Sequence, residues 1–342
     1  MKALALTERG NPFEIIEVDE PEIRNEDELK IKIYGSGICG SELHEYQDPP
    51  KEKIDLPKIL GHEYSGTIVD KGSRVKGLEI GDRVIAESSA GCEKCIYCRS
   101  GYTNLCPSRE GISGSFTDYI VVPSRYVYKL PDNISLDLAL LSEPLACVIN
   151  GLEKTKIKQG DLVVVIGPGP LGILAAYLAV KSGTKVVLIG RSSSENRLKI
   201  AAELSIPHII NSDNTNAKKY IKKLDSFGAD VVISCVGSAE VVNLGFELLK
   251  NGGSYTELGL FNRNQVSVDF EKIVSKEINV VGAVSHKPES WNQLLKLYES
   301  GLLDGLQKII TGEYQLSEWK KAFENLISRK DTKAVIYSRV YV

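Results

Sequence analysis

The chain has 342 residues, 42% of them hydrophobic and 25% charged, with a formal net charge of −3. That length exceeds what one hydrophobic core usually serves, so two domains are expected. The charge balance excludes nucleic acid as the main partner, and no apolar run reaches the ~18 residues of a membrane span.

The first residues, Met1 to Arg9, are interrupted by charge at once and form no signal-peptide core, so a cytosolic setting is expected. In a reducing compartment the seven cysteines stay as thiols, and clustered ones read as metal ligands rather than disulfides. Residues 1–130 are β-rich. Leu29–Tyr34, Gly66–Val69, Asp82–Ile85, Phe116–Val122 and Tyr126–Tyr128 are short β-prone runs between Gly, Pro, Asn and Asp punctuation. No helical period is sustained there, which predicts a compact barrel-like domain.

Within this region lie Cys39-Gly40-Ser41-Glu42-Leu43-His44 and Gly61-His62-Glu63. Cys39, His62 and Glu63 offer a thiolate, an imidazole and a carboxylate, the chemistry of a catalytic zinc. Ser41 and His44 offer a hydroxyl and a second imidazole, the chemistry of a proton path. Cys92, Cys95, Cys98 and Cys106 follow with C-x2-C-x2-C-x7-C spacing. Four thiolates in one loop can close a tetrahedron around a structural zinc, with no position left for catalysis. The charges on this lobe are too few and too mixed for a nucleic-acid module.

The texture changes after about residue 145. Leu162–Ile166 is a continuous apolar run of strand length, as for a strand buried on both faces. Gly167-Pro168-Gly169-Pro170-Leu171-Gly172 follows and opens a helix at Ile173–Ser182. This G-x-G-x-x-G, in strand–turn–helix context, predicts a dinucleotide pyrophosphate on the helix N-terminus. Alternation continues through strand Lys185–Ile189, helix Glu195–Leu204, strand Asp230–Ser234, helix Ala239–Leu249 and strands Ser254–Leu258 and Ile278–Val281. The pattern predicts an α/β doubly wound parallel sheet. Two amphipathic helices, Trp291–Glu299 and Glu318–Ser328, precede a strand at Lys333–Tyr337 that can rejoin the first domain. An NAD site usually ends its second strand near an acidic residue. Here Gly190-Arg191-Ser192 stands in that place, so Arg191 and the serines favour the 2′-phosphate of NADP(H), with Arg197 flanking the ribose and NAD(H) second. Cys147 and Cys235, in apolar runs, read as small buried residues.

In this order the motifs resemble the zinc-dependent medium-chain alcohol dehydrogenases, and among them the polyol branch of sorbitol, butanediol and threonine dehydrogenases. The resemblance rests on Cys39–His44, Gly61–Glu63, the four-cysteine lobe, Glu143-Pro144-Leu145 and Gly167–Gly172, and it covers essentially the whole chain. It implies a GroES-like catalytic domain over 1–145 with the zinc lobe near 88–110. A Rossmann coenzyme domain over 146–285 and a return to the catalytic domain over 286–342 complete it. It implies two zinc ions per chain and dimers or tetramers. Carried over by position, Cys39 and His62 ligate the catalytic zinc. Glu63 is a third ligand or its neighbour, and Glu143 ligates or acts through bound water. His44 continues the proton path from Ser41 through the cofactor ribose. Cofactor contacts fall on Val236-Gly237, Leu258-Gly259-Leu260 and Ala283-Val284-Ser285. The reaction implied is hydride transfer between a nicotinamide cofactor and a secondary alcohol, polyol or sugar. An NAD-dependent threonine or butanediol enzyme is the alternative, and a non-catalytic dinucleotide sensor is the alternative of another class. Two departures count against sorbitol itself. Glu45 replaces an aromatic residue after His44, and Ser285 replaces a polyol-holding arginine.

Overall fold

The computed structural model describes residues 1–49, 55–261 and 265–338. The chain divides into two compact units, one of residues 1–143 and 287–342, the other of residues 144–286.

The first unit is built on a seven-stranded sheet ordered Val127–Lys129, Arg83–Ala86, Glu63–Lys71, Glu28–Gly37, Lys333–Tyr337, Ile310–Gln315, with Tyr119–Pro123 also paired to Glu28–Gly37. Along Glu28–Gly37 buried Leu29, Ile31 and Ile33 alternate with more exposed residues, the period of a strand with one covered face. Register shifts between Lys30 and Ile31 and between Ile33 and Gly35 bend this strand as it approaches the metal-ligand residues. Its last residues, Gly35 to Gly37, pair with Val335 to Tyr337, so the late segment does rejoin the early sheet. Phe116 lies before rather than within its strand, and packs in the core with Leu4, Leu60 and Trp319.

The barrel-like reading of this unit leaves one helix unannounced. Gly40–Gln47 is an α-helix, although its residues show no apolar period. It is specified by its ends instead. Cys39 is its N-cap, the Glu42 carboxylate returns to the Cys39 backbone N–H at 2.9 Å, and Tyr46 anchors the far turn. The Tyr46 ring packs against Phe13, Trp319 and Phe323 at centroid distances of 5.8, 5.8 and 5.2 Å.

The second unit is a six-stranded, all-parallel sheet ordered His208–Asn211, Lys185–Gly190, Leu162–Ile166, Ala229–Ser234, Leu249–Glu257, Asn279–Gly282. Numbered within the unit this is 3-2-1-4-5-6, the order of the doubly wound dinucleotide fold. All five residues of Leu162–Ile166 are buried, which is why that strand reads as an unbroken apolar run. Strand His208–Asn211 and helix Ala217–Leu224 complete the alternation. The strand has only four residues, three of them half-buried, and carries little apolar signal. Among the described residues, no helix is long and apolar enough to cross a membrane.

Candidate active site

The ligand atoms of Cys39, His62 and Glu63 all lie within 4.8 Å of one another. Cys39 ends the strand-to-helix turn after Gly37, and His62 and Glu63 enter the neighbouring strand, so paired backbone brings two distant stretches together. Gly37 pairs with Glu63 across these strands. A Cβ on Gly37 would stand 2.4 Å from a Glu63 carboxylate oxygen and 2.8 Å from the Lys333 side chain, so only glycine leaves room.

Three residues of this centre carry no motif signal of their own. Glu42, 4% exposed, accepts from the backbone N–H groups of Cys39 and Gly61 at 2.9 and 2.8 Å. Its Oε1 also stands 3.3 Å from His62 Nδ1. That contact fixes the ring and leaves Nε2 for the cluster, as metal-binding histidines require. Lys333, 2% exposed, is ion-paired with Glu63 and donates to the Ile38 carbonyl at 2.9 Å. Ser88 donates to Glu143 Oε1 at 3.0 Å. Glu42 could have been found as the third residue of a capping box after Cys39. Lys333 could not, because 270 residues separate it from Glu63.

Electrostatics test whether a cation fits here. Burial opposes charge on His62, but Glu42 and then Cys39 outweigh it and raise its pKa well above the usual imidazole range. Burial raises Glu143, with Glu63 adding to the rise, while His62, Ser88 and Lys333 oppose it. A thiol and three carboxylates thus gather around one imidazole, a surplus of negative groups that a bound cation would balance. The donor set fits a divalent cation such as zinc. Glu143, 8% exposed, faces the centre electrostatically but lies outside the Cys39–His62–Glu63 ligand group.

Ser41 and His44 share the helix Gly40–Gln47 at i, i+3, which puts them on one face. Ser41 is half-buried and His44 exposed, the order a path from site to water needs. Glu45 is ion-paired with Lys58 at 2.8 Å. With Tyr46 in the aromatic cluster, both residues after His44 serve the fold.

In the lobe, the sulfurs of Cys92, Cys95, Cys98 and Cys106 also lie within 4.8 Å of one another. Cys98 N–H points to the Cys95 sulfur at 3.5 Å and Cys92 N–H to the Cys106 sulfur at 3.4 Å. Backbone N–H groups of Lys94 and Cys95 pull the Cys92 thiol down to about 6. These amides favour a thiolate at Cys92, whereas burial and the neighbouring Cys95 sulfur push Cys98 up, a crowding of sulfurs that a bound cation would relieve.

In the second unit, Gly167 has φ +102° and a Cβ there would meet the Val236 side chain at 2.4 Å. A Cβ on Gly172 would lie 1.8 Å from the Gly167 carbonyl. A Cβ on Gly169 would meet nothing within 4 Å. Gly169 is the N-cap of helix Pro170–Lys181, with Pro170 in the first turn and no side chain capping its N–H groups. The open cradle and uncapped helix end fit a pyrophosphate. Leu171 follows in the same first turn.

At the end of the second strand, Gly190 packs under Pro168 and Leu198, and Arg191 stands 3.6 Å from Glu240. Ser192 N–H donates to Asp213 at 2.8 Å, and its hydroxyl accepts from Asn211 at 2.9 Å. Asp213 is therefore a carboxylate at this position that comes from the next strand's end rather than from the motif. Arg197 lies in the first turn of helix Glu195–Glu203. Val236-Gly237 and Leu258-Gly259-Leu260 are adjoining turns, joined by a bridge between Gly237 and Phe261. Buried Asn150 donates to the Val284 and Ser285 carbonyls at 3.3 and 2.8 Å and Ala283 N–H donates to the Glu257 carbonyl at 3.1 Å, which holds the third turn. His208 meets the Tyr220 hydroxyl at 3.1 Å, a structural contact.

Comparison with known proteins accords with this geometry. Residues 25–132 match the family described as alcohol dehydrogenase GroES-like domain, and residues 170–300 that described as zinc-binding dehydrogenase. The chain is 39% identical to a sorbitol dehydrogenase of Halalkalibacterium halodurans, over 98% of this chain and 99% of that one. It is 32% identical to a D-arabitol-phosphate dehydrogenase of Enterococcus avium, over 94% and 93%. Its fold matches a zinc-binding dehydrogenase of Sinorhizobium meliloti solved bound to NADP, with TM-score 0.87 and 27% identity over 98% of each chain.

Proposed function

The chain belongs to the zinc-dependent medium-chain alcohol and polyol dehydrogenases, and from that premise we propose an NADP(H)-linked oxidoreductase of a secondary alcohol, polyol or sugar, worked at Cys39, His62 and Glu63. The carrying observation is the convergence of those three ligand atoms around an imidazole that Glu42 orients. Bound there, zinc supplies Lewis acidity toward a hydroxyl oxygen, and the dinucleotide supplies a hydride acceptor. Cys39, His62 and Glu63 hold the ion, and Lys333 offsets the charge of Glu63. Glu143 keeps its carboxylate on the same centre through Ser88. Ser41 takes the hydroxyl proton and passes it to His44 and water. The carbinol hydrogen leaves with its electron pair as hydride, and the substrate becomes a carbonyl compound. Uncapped N–H groups after Gly169 hold the pyrophosphate, and Arg191 with Ser192 holds the 2′-phosphate.

We read two zinc ions per chain, one in each cluster, which elemental analysis checks directly. Asp213 favours the second reading, an NAD(H) enzyme of the threonine or butanediol type, because its carboxylate faces the Ser192 backbone. Catalytic efficiency with both cofactors, measured across polyols, sugars, diols and threonine, decides between them; a strong NAD preference overturns the first. Glu45 and Ser285 count against sorbitol as the preferred substrate. A reducing cytosolic setting would keep the clustered cysteines available as metal ligands.

The sheet edge supports reading the protein as a homo-oligomer. Among the described residues, strand Asn279–Gly282 has a neighbour on one side only, Val280 is 50% exposed, and the segment before it exposes Phe270 and Val274. Light scattering should find a dimer or tetramer, and Val280→Lys should shift it toward monomer.

A further inference from the structure

Strand Leu249–Glu257 ends in a carboxylate that no motif accounts for. Glu257 is partly buried, and among the described residues no Lys, Arg or His is paired with it. Three donors hold it instead. Oε1 accepts from the Ser234 hydroxyl and from the Gly259 backbone N–H, each at 2.9 Å. Oε2 accepts from the Tyr255 hydroxyl at 2.6 Å. Ser234 is fully buried, and its hydroxyl also contacts the Val236 carbonyl at 3.2 Å and accepts from the Val236 N–H at 3.3 Å.

One carboxylate therefore spans two turns. Ser234 leads into Val236-Gly237, and Gly259 is the middle of Leu258-Gly259-Leu260. The turns are in backbone contact. A Cβ on Gly237 would lie 1.9 Å from the Leu260 carbonyl oxygen, and one on Gly259 would lie 2.6 Å from the Gly237 nitrogen. Glycine lets the turns approach but supplies no attachment. The Leu258 N–H to Ser234 carbonyl bond, 2.8 Å, ties the base of the pair, and the Glu257 side chain ties the tip. Leu260 beyond it is 63% exposed.

A purely structural tie needs no charge. Burial pushes Glu257 up to about 6 against the pull of Tyr255, Gly259 and Ser234, so its ionised form costs the fold something. Holding the Gly259 N–H with an anion makes that bond stronger than a neutral acceptor would.

We propose that Glu257 is a positioning residue for the nicotinamide half of the dinucleotide, fixing Leu258–Leu260 against Val236-Gly237 through Gly259 and Ser234. This rests on the dinucleotide reading above and deepens it. The test separates the two halves of the cofactor. NADPH and NADH are titrated beside their nicotinamide-free counterparts, 2′-phospho-ADP-ribose and ADP-ribose, into wild type, Glu257→Leu and Glu257→Gln, by calorimetry. Glu257→Leu should weaken the binding of whichever dinucleotide the wild type takes by about tenfold, the loss of one charge-assisted hydrogen bond, and leave its ADP-ribose counterpart within about twofold. Glu257→Gln keeps an acceptor for Gly259 and should recover most of the loss. Ser234→Ala, which leaves the carboxylate in place, should show a smaller loss of the same selectivity and serves if the leucine variant fails to fold. Equal loss for both ligands, or unchanged dinucleotide binding, overturns the proposal. Wild type that binds ADP-ribose ligands but discriminates no variant overturns it while sparing the cofactor reading, whereas wild type that binds none of the four overturns both.

Discussion

The two cysteine-bearing centres of the first unit solve the same chemical problem in opposite ways. The lobe takes four identical ligands from fifteen consecutive residues, Cys92 to Cys106, and orients them with its own backbone N–H groups. The other centre takes a thiol, an imidazole and a carboxylate from two paired strand ends, and each of its parts leans on something else. His62 leans on Glu42, Glu63 on Lys333 and Glu143 on Ser88. The lobe is closed and self-sufficient, which suits stability. The mixed centre is held from outside by residues that are not ligands, the arrangement that the proposed catalytic role would call for.

That contrast can be broken by substitution. Cys39→Ser and His62→Ala should each lower turnover by more than about 10³-fold while NADPH binding stays within about twofold, since the ligand atoms and the dinucleotide cradle lie in different units. Substantial activity in either variant removes the catalytic role of the centre. Cys95→Ser should act on the other quantity. Elemental analysis should fall from two zinc to one, and the melting temperature by about 5–10 °C, with turnover per remaining folded subunit kept. Lost turnover at normal melting temperature would mean that the lobe is not a staple. Glu42→Gln should sharpen the comparison, because Glu42 holds the ligand residues Cys39 and His62 without being a ligand itself. It should weaken zinc at the mixed centre by about 10–100-fold in competition with a chelator, and leave the lobe's ion in place. Equal loss from both centres would show that Glu42 only supports the fold. Ser88→Ala should give the smallest effect, about fivefold or less in kcat/KM with melting temperature unchanged, because one hydrogen bond to Glu143 is removed. A Ser88→Ala loss as large as that of His62→Ala would place Glu143 among the essential groups.

The same contrast explains what could be read without coordinates. The lobe is legible because its spacing is its geometry. The glycine loop is legible because an apolar run, a turn and a helix follow one another in the chain as they do in space. The helix Gly40–Gln47 was invisible to periodicity because it is defined by a cap, a returning carboxylate and one aromatic anchor, not by an apolar stripe. Lys333 and Ser88 were invisible for a different reason. Each meets its partner only after sheet pairing, and nothing local marks a lysine in an apolar strand as a counter-ion. Asp213 reaches the Ser192 loop the same way, from the end of a neighbouring parallel strand.

The antiparallel pairing of Gly35–Gly37 with Val335–Tyr337 sets an order of events during synthesis. The strand that receives Cys39 leaves the ribosome some three hundred residues before the strand that brings Lys333, and the whole parallel-sheet unit emerges between them. Until that later segment arrives, Glu63 lacks its counter-charge and the early sheet shows an unpaired edge. A nascent chain can thus finish its coenzyme unit and fill its four-cysteine lobe first. On the two-zinc reading proposed above, the mixed centre gains its last supporting side chain only when Lys333 emerges, so a chain stalled before it would hold its ligands Cys39, His62 and Glu63 without the counter-charge that Glu63 has in the finished fold.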